Sequence, residues 1–274
     1  MIALTRDRTS QAIPAGFRGT GRVGNQRRLI DLRLAKQGPK SSVWGAAKAQ
    51  LRAESGGKCA YCEGKASHVA HGDVEHMRPK ADYWWLAYCY DNYLYACQLC
   101  NQSFKGTNFP ITGARLAEPL IPPGATDAQL DTLAPDLCPD PLEQAAVAQY
   151  AALVGAEQAG IPDPYLLDPE PFFSWKPDDT LREVEVQPRD ASPAAQRAFA
   201  AAQAFLGLNR DELKLWRYEV YEDVALLIEI VETQRISAAL RHRTEDILRR
   251  KMSVRGEFAG MVRYFVRDVA GLPL

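Results

Sequence analysis

Hydrophobic and polar positions repeat with two different periods along this chain, which indicates an α+β fold. From residue 192 to the end, apolar side chains recur at every third or fourth position, the period of amphipathic helices. One such stripe consists of Leu213, Trp216, Val220, Val224, Leu227 and Val231. Two further helices are predicted at 237–251 and 254–268, and another in the alanine-rich stretch 142–158. Residues 181–187 alternate between apolar and polar, which predicts a short strand.

The predicted C-terminal helices carry start and stop signals. Ser192 followed by Pro193 is a good N-cap with proline at the first helical position, and Gly207 is expected to end that helix. Asn209, with Glu212 three residues later, predicts a capping box for the next helix.

Changes in composition predict four segments. Residues 1–40 are rich in Arg, Gly and Gln with little periodicity, and we expect an extended, basic N-terminal arm. Residues 41–112 begin with a short predicted helix over 41–53 and are expected to form the core that carries the chemistry. Residues 113–190 are proline-rich and acidic and are expected to connect this core to a helical C-terminal region, 191–274.

The charge is divided unevenly between the two halves of the chain. The formal net charge is −1, yet residues 1–120 hold 17 Lys and Arg against 9 Asp and Glu, whereas residues 121–274 hold 16 against 25. A basic N-terminal half suits contacts with phosphate groups, although two ordinary solvated surfaces explain the split equally well. The chain has no apolar run long enough for a membrane span and no apolar core of a signal peptide, so we expect a cytoplasmic protein.

Four of the six cysteines form two CxxC pairs. The pairs are Cys59 with Cys62 and Cys97 with Cys100. Zinc prefers four thiolates in a tetrahedron, and each CxxC turn presents two sulfurs to one ion, so the pairs predict a closed structural zinc site. The 34 residues between the pairs exceed what a minimal zinc ribbon needs, so something further is built there. Cys89 and Cys138 are expected to be ordinary buried cysteines.

The segment between and just after the pairs holds residues that can transfer a proton and bind a divalent cation. Glu75 and His76 lie in the run Asp-Val-Glu-His-Met-Arg-Pro-Lys, Asn92 follows further on, and Asn101 comes directly after the last cysteine. An imidazole can deprotonate water near neutral pH, and a divalent cation held by oxygen ligands can neutralise negative charge on a reacting group such as a phosphate.

This pattern resembles the HNH, or ββα-metal, nucleases, whose zinc-bearing members place CxxC pairs at these two positions. The resemblance implies that His76 is the general base and that Glu75 and Asn101 are ligands of a catalytic ion, with Mg²⁺ or Mn²⁺ expected. It also implies that Asn92 holds the His76 ring through its side-chain or backbone oxygen.

The match is narrower than HNH proteins in general and is similar to the PtuB-like HNH nucleases of retron and Septu anti-phage defence. The quoted runs around both cysteine pairs carry it over about 50 residues, with a weaker echo at Tyr165–Pro169 and Phe205–Arg210. Such proteins act with an ATPase of the ABC/SMC type, PtuA-like, so the resemblance implies an effector nuclease with that partner. Residues 113–160 look like an insertion relative to the group.

Several assignments have alternatives. Arg78, Lys80 and Lys105 are candidate phosphate contacts, or else solvated charges. His68 and His71 are expected to have no catalytic role. DNA is the favoured substrate, but the residues fit an RNA nuclease as well. A non-catalytic zinc module that binds nucleic acid or a partner protein is the rival to any nuclease.

Overall fold

The computed structural model describes residues 1–65 and 72–274, which combine helices with two separate two-stranded antiparallel sheets. The strands are β1 (Asp73–His76), β2 (Tyr93–Ala96), β3 (Phe173–Asp178) and β4 (Glu183–Pro188). The helices before β3 are α1 (Gly19–Leu34), α2 (Ser41–Gly45), α3 (Lys48–Glu54), the π-helical α4 (Leu99–Lys105), α5 (Asp127–Leu133) and α6 (Gln144–Gly155). Those after β4 are α7 (Pro193–Leu206), α8 (Asp211–Glu232), α9 (Ala238–Met252) and α10 (Ala259–Arg263), which continues as a π-helical turn, Tyr264–Val269. His68 and His71, which we expect to have no catalytic role, lie outside the described residues.

The extended conformation predicted for residues 1–40 is wrong, because 16 of these residues form the helix α1. The helix buries Gln26, Leu29 and Ile30, three positions on one face that the surrounding Arg and Gly obscured in the sequence. A terminal segment with buried apolar side chains is held by packing, so it is part of the folded body.

The arginines of α1 are bound to the acidic segment that follows the core. Arg22 Nη1 donates to the backbone carbonyls of Pro135 and Cys138 at 2.7 and 2.6 Å. Arg27 forms ion pairs with Asp127, at 2.6 Å, and with Asp131 on α5. Basic and acidic segments that looked separate therefore neutralise each other in part, and residues 113–160 pack against the N-terminal helix.

The first sheet and the helix after it frame the cysteine-rich region. β1 pairs with β2 in antiparallel register, with Asp73 opposite Ala96 and His76 opposite Tyr93. α4 follows β2 directly, which produces the order strand, strand, helix. This order agrees with the expected nuclease core, while the assignment to the ββα-metal fold itself stays a prediction.

The predicted C-terminal helices are confirmed, with two corrections, of which the first is that the last helix begins at Ala259 and not at residue 254. The Ser192 hydroxyl accepts a hydrogen bond from the Ala195 backbone, and Gly207 ends α7 in the left-handed conformation with φ +56°. The predicted capping box is wrong, since Arg210 occupies the N-cap of α8 and makes no side-chain cap. Asn209 instead accepts a hydrogen bond from the Val186 N–H on β4 and donates one to the Val186 carbonyl, each at 2.8 Å. An amide side chain has both a donor and an acceptor, so it can pair with a strand edge as well as with a helix end.

Buried apolar side chains from all four predicted segments pack into one hydrophobic cluster. Leu29, Tyr83, Val154 and Val262 represent the segments in order along the chain. The segment boundaries proposed from the sequence stay predictions. Among the described residues, no helix combines the length and apolarity that crossing a bilayer requires.

Candidate active site and metal centre

The two CxxC pairs form one cluster, as the sequence predicts. The four sulfur atoms lie within 4.8 Å of one another, and the Cys62 and Cys97 sulfurs are 4.0 Å apart. Tetrahedral coordination with zinc–sulfur bonds of about 2.3 Å separates the sulfurs by about 3.8 Å. Hydrogen bonding with Cys100 lowers the pKa of both Cys62 and Cys97, whereas burial raises the pKa of Cys59 and hydrogen bonding with Cys59 raises that of Cys100. The spacing of the four sulfurs fits one ion. The cluster can therefore hold zinc.

The first CxxC turn is fastened to both strands of the sheet. The backbone N–H of Ala60 donates to the Tyr95 carbonyl on β2 at 2.8 Å. The hydroxyl of Tyr61, a side chain with no exposed surface, donates to Glu75 Oε1 on β1 at 3.3 Å. The cysteine cluster thus positions the strand that carries Glu75 and His76, and this role of Tyr61 had no signal in the sequence.

The His76 imidazole is enclosed and held by one hydrogen bond. The side chain is 4% exposed, its Nε2 lies 3.0 Å from the Ala87 carbonyl, and the rings of Trp44 and Tyr93 pack edge-on against it at 5.1 and 5.0 Å. Burial, reinforced by the charge of Lys80, lowers the pKa of His76 to about 3. Because a carbonyl only accepts, Nε2 carries the proton in this contact and Nδ1 keeps a free electron pair.

Glu75 on β1 pairs with a lysine of the helix α4. Its Oε1 lies 2.5 Å from Lys105 Nζ on α4, and the same ammonium group donates to the His76 carbonyl at 3.1 Å. Burial raises the pKa of Glu75, and Lys105 opposes that shift. Lys105 has no exposed surface. Its predicted role as a phosphate contact is therefore wrong, because its charge is used inside the protein.

Asn92 holds the chain that follows His76. Its side-chain oxygen accepts from the Arg78 N–H at 2.8 Å, and its amide donates to the Arg78 carbonyl at 3.0 Å. The Asn92 carbonyl accepts from the Met77 N–H at 2.9 Å. The predicted contact with the His76 ring is wrong, since both Asn92 oxygens are engaged by the backbone and the Ala87 carbonyl holds the ring. Three bonds fix the loop, so Asn92 acts on His76 through the backbone.

Asn101 lies on α4, one helical turn before Lys105. It is half-buried, and its carbonyl accepts from the Gly106 N–H at 2.8 Å, the i→i+5 bond of a π-helix. The next residue, Gln102, donates to Asp73 Oδ2 on β1 at 3.2 Å, so the Asn101 end of α4 lies near that strand. Its role as a ligand stays a prediction.

The other two predicted phosphate contacts differ from each other. Arg78 is 2% exposed, and its Nε donates to Glu157 Oε2 at 2.7 Å, so its predicted role is wrong. A guanidinium enclosed with a carboxylate has no free charge for a phosphate. Lys80 is exposed, with Nζ 5.1 Å from the centre of the Trp44 ring, which in turn packs on His76. Lys80 thus offers a surface cation beside the candidate site.

Part of the chain is similar to a defence protein. It is 38% identical over 68 residues to Septu protein PtuB of Bacillus mycoides (strain KBAB4), a match that covers 20% of this chain and 23% of the relative. This chain therefore matches about a quarter of the relative's length. No family model matches the chain, and no solved structure does. The comparison supports a relation to a Septu protein over that part.

Proposed function

We propose that this protein is a metal-dependent HNH endonuclease that hydrolyses phosphodiester bonds of DNA, and that it is the effector nuclease of a bacterial anti-phage defence system. The observation that carries the proposal is the enclosed, neutral imidazole of His76, held next to Glu75 on a strand that the four-cysteine cluster positions. The partial similarity to Septu protein PtuB supports the role in defence.

In this proposal His76 accepts a proton from the attacking water. A ring whose Nε2–H is held by the Ala87 carbonyl presents Nδ1 as the acceptor. The lowered pKa keeps the ring unprotonated at neutral pH but also makes it a weak base, so the proposal rests on the position of Nδ1 rather than on its basicity. Asn92 keeps the loop after His76 in place. Lys80 lies where a cation could contact a backbone phosphate.

Glu75 and Asn101 would hold Mg²⁺ or Mn²⁺, which would neutralise charge on the phosphate and on the leaving oxygen. A carboxylate and an amide oxygen are the donors that such ions prefer, so the residue types fit. The carboxylate of Glu75 would have to serve both the ion and Lys105, whose ammonium already contacts Oε1. By kinship with Septu protein PtuB, an ABC/SMC-type ATPase like PtuA would control the nuclease.

The Glu75–Lys105 contact and the deep burial of His76 favour a second candidate function. A non-catalytic zinc module that binds nucleic acid or a partner protein would need the cysteines but would not need His76 to react. The two candidates therefore differ in whether an intact fold without the His76 imidazole loses activity.

The test is a cleavage assay on supercoiled plasmid and on RNA, with Mg²⁺ or Mn²⁺, for wild type, His76→Ala and His242→Ala. His242 is a suitable control because it is an exposed histidine far along the chain on α9. We expect wild type and His242→Ala to nick plasmid and His76→Ala to be inactive. Equal cleavage by all three would exclude His76 as the base, and preference for RNA would correct the substrate. Binding without cleavage, unchanged in His76→Ala, would favour the zinc module.

A further inference from the structure

Two arginines of the C-terminal region lie beside the four-cysteine cluster. Arg210 Nη1 is 3.8 Å from Cys100 Sγ, and the same nitrogen donates to the Gly207 carbonyl at 3.1 Å. Arg217 lies seven residues further, on the same face of α8, and is 2% exposed. Arg217 and Cys62 line one small cavity of about 10 Å³, the space of a single water molecule. One helix therefore brings two guanidinium groups to the sulfur cluster.

The cluster creates a need for such charges. Four thiolates around one Zn²⁺ carry a net charge of −2, and Cys59, Cys62 and Cys100 are buried. Enclosing uncompensated charge in the protein interior is costly. Lys58 is close in sequence, but Glu63 pairs both with it, at 3.3 Å, and with the Met1 ammonium group, at 3.1 Å, so these three charges together contribute only +1.

The two arginines supply the missing charge. Arg217 is enclosed, its Nη1 donates to the Leu208 carbonyl at 2.7 Å, and a guanidinium group stays protonated at neutral pH. Arg210, at the N-cap of α8, and Arg217, on that helix, add two positive charges against the −2 of a zinc tetrathiolate. Arg210 Nη1 also donates to the Cys100 sulfur, and hydrogen bonds of this kind support metal ligands.

We propose that Arg210 and Arg217 are outer residues of the four-cysteine metal site, which neutralise its thiolates and help to retain zinc. The helix α8 then belongs to the metal site, although it begins more than a hundred residues after Cys100. This inference concerns metal retention and does not depend on the proposed nuclease activity.

The test compares zinc retention in full-length, zinc-loaded protein for wild type, Arg210→Gln, Arg217→Gln and Arg210→Lys. Glutamine keeps hydrogen-bond donors but removes the charge, whereas lysine keeps the charge. Arg182→Gln is the matched control, because Arg182 pairs with Glu222 of α8 at the protein surface. Zinc affinity and release rate are measured by competition with a chromogenic chelator, and the sulfur-to-metal charge-transfer band is recorded after replacement by Co²⁺.

We expect each glutamine variant to lose zinc about tenfold or more readily and to shift the charge-transfer band, the scale typical of outer-sphere changes. Arg210→Lys and Arg182→Gln should stay within about threefold of wild type. Retention near the wild-type level in Arg210→Gln would overturn the proposal, and so would equal loss in Arg210→Gln and Arg210→Lys, since charge would then not matter. If Arg217→Gln does not fold, the half-buried Arg210 decides the question alone.

Discussion

The Lys105 ammonium group lies 2.5 Å from the Glu75 carboxylate, in a part of the interior where neither side chain is more than 5% exposed. Removing one partner of such a pair leaves the other charge uncompensated, at a cost of about 3–5 kcal/mol. We therefore expect Lys105→Met to lower the free energy of unfolding by about 3 kcal/mol or more. The double variant Glu75→Gln/Lys105→Met should recover part of that loss.

Urea denaturation of the wild type, both single variants and the double variant measures this coupling. Lys48→Met is the control, since Lys48 pairs with Asp73 on the same strand but both side chains are about 40% exposed. Its cost should stay below about 1 kcal/mol. Strictly additive losses in Glu75→Gln and Lys105→Met would show that the two residues do not interact directly.

We expect a substitution of Arg78 to affect stability and a substitution of Lys80 to affect nucleic-acid binding. Because Arg78 is buried against Glu157, Arg78→Met should destabilise the fold by about 3–5 kcal/mol. Lys80→Gln should leave stability nearly unchanged and, if the site binds DNA, reduce the salt dependence of binding by about one phosphate contact. Urea denaturation and DNA binding at several salt concentrations check both variants. A salt slope that changes in Arg78→Met and not in Lys80→Gln would contradict these assignments.

Local signals in the sequence predicted local structure well. The CxxC spacing predicted the four-cysteine cluster because each CxxC turn brings its own two sulfurs together. The cluster then requires only that the two turns lie side by side. Ser192, Pro193 and Gly207 marked both ends of α7 because capping depends on neighbours a few positions away.

Apart from the helix α1, the errors concern partners that lie elsewhere in the sequence. Arg78 and Glu157 are 79 positions apart, and nothing near Arg78 showed that a carboxylate would cover it. Charged side chains are rarely buried, so solvent was the reasonable expectation for Arg78 and Lys105. Likewise, the ring of His76 is held by Ala87, whose backbone carbonyl leaves no trace in the residue types.

The stability of the protein should depend on pH through His76. Its pKa falls from an ordinary 6.5 to about 3 on folding, so between these values the unfolded chain binds more protons than the folded protein. The neutral His76 ring therefore costs no stability above about pH 6.5. Below that pH the free energy of unfolding decreases by about 1.4 kcal/mol per pH unit. Compared with His76→Asn, which does not titrate, wild type should lose about 1.4 kcal/mol between pH 7.5 and 5.5.

Denaturation of both proteins at the two pH values measures this difference. Burial raises the pKa of Glu75 and would stabilise the fold in acid, the opposite direction, but Glu75 is present in both proteins. His242→Asn serves as the control, because His242 is 74% exposed. A difference between wild type and His76→Asn that does not change with pH would mean that the imidazole is solvated.

Replacing one cysteine of the cluster is expected to remove structure as well as metal. Zinc binding to such sites supplies folding free energy, so Cys97→Ser should retain less than one zinc per chain and melt at a lower temperature. Cys89→Ser is the matched control. Cys89 is a buried cysteine outside the cluster, so this variant should keep its full zinc content. Metal analysis and thermal denaturation of the two variants decide the outcome.

Because Tyr61 of the first CxxC turn also contacts Glu75, the loss of structure in Cys97→Ser should extend to β1 and appear as faster amide exchange there. Full zinc content with an unchanged melting temperature would show that the four sulfurs do not form a structural zinc site.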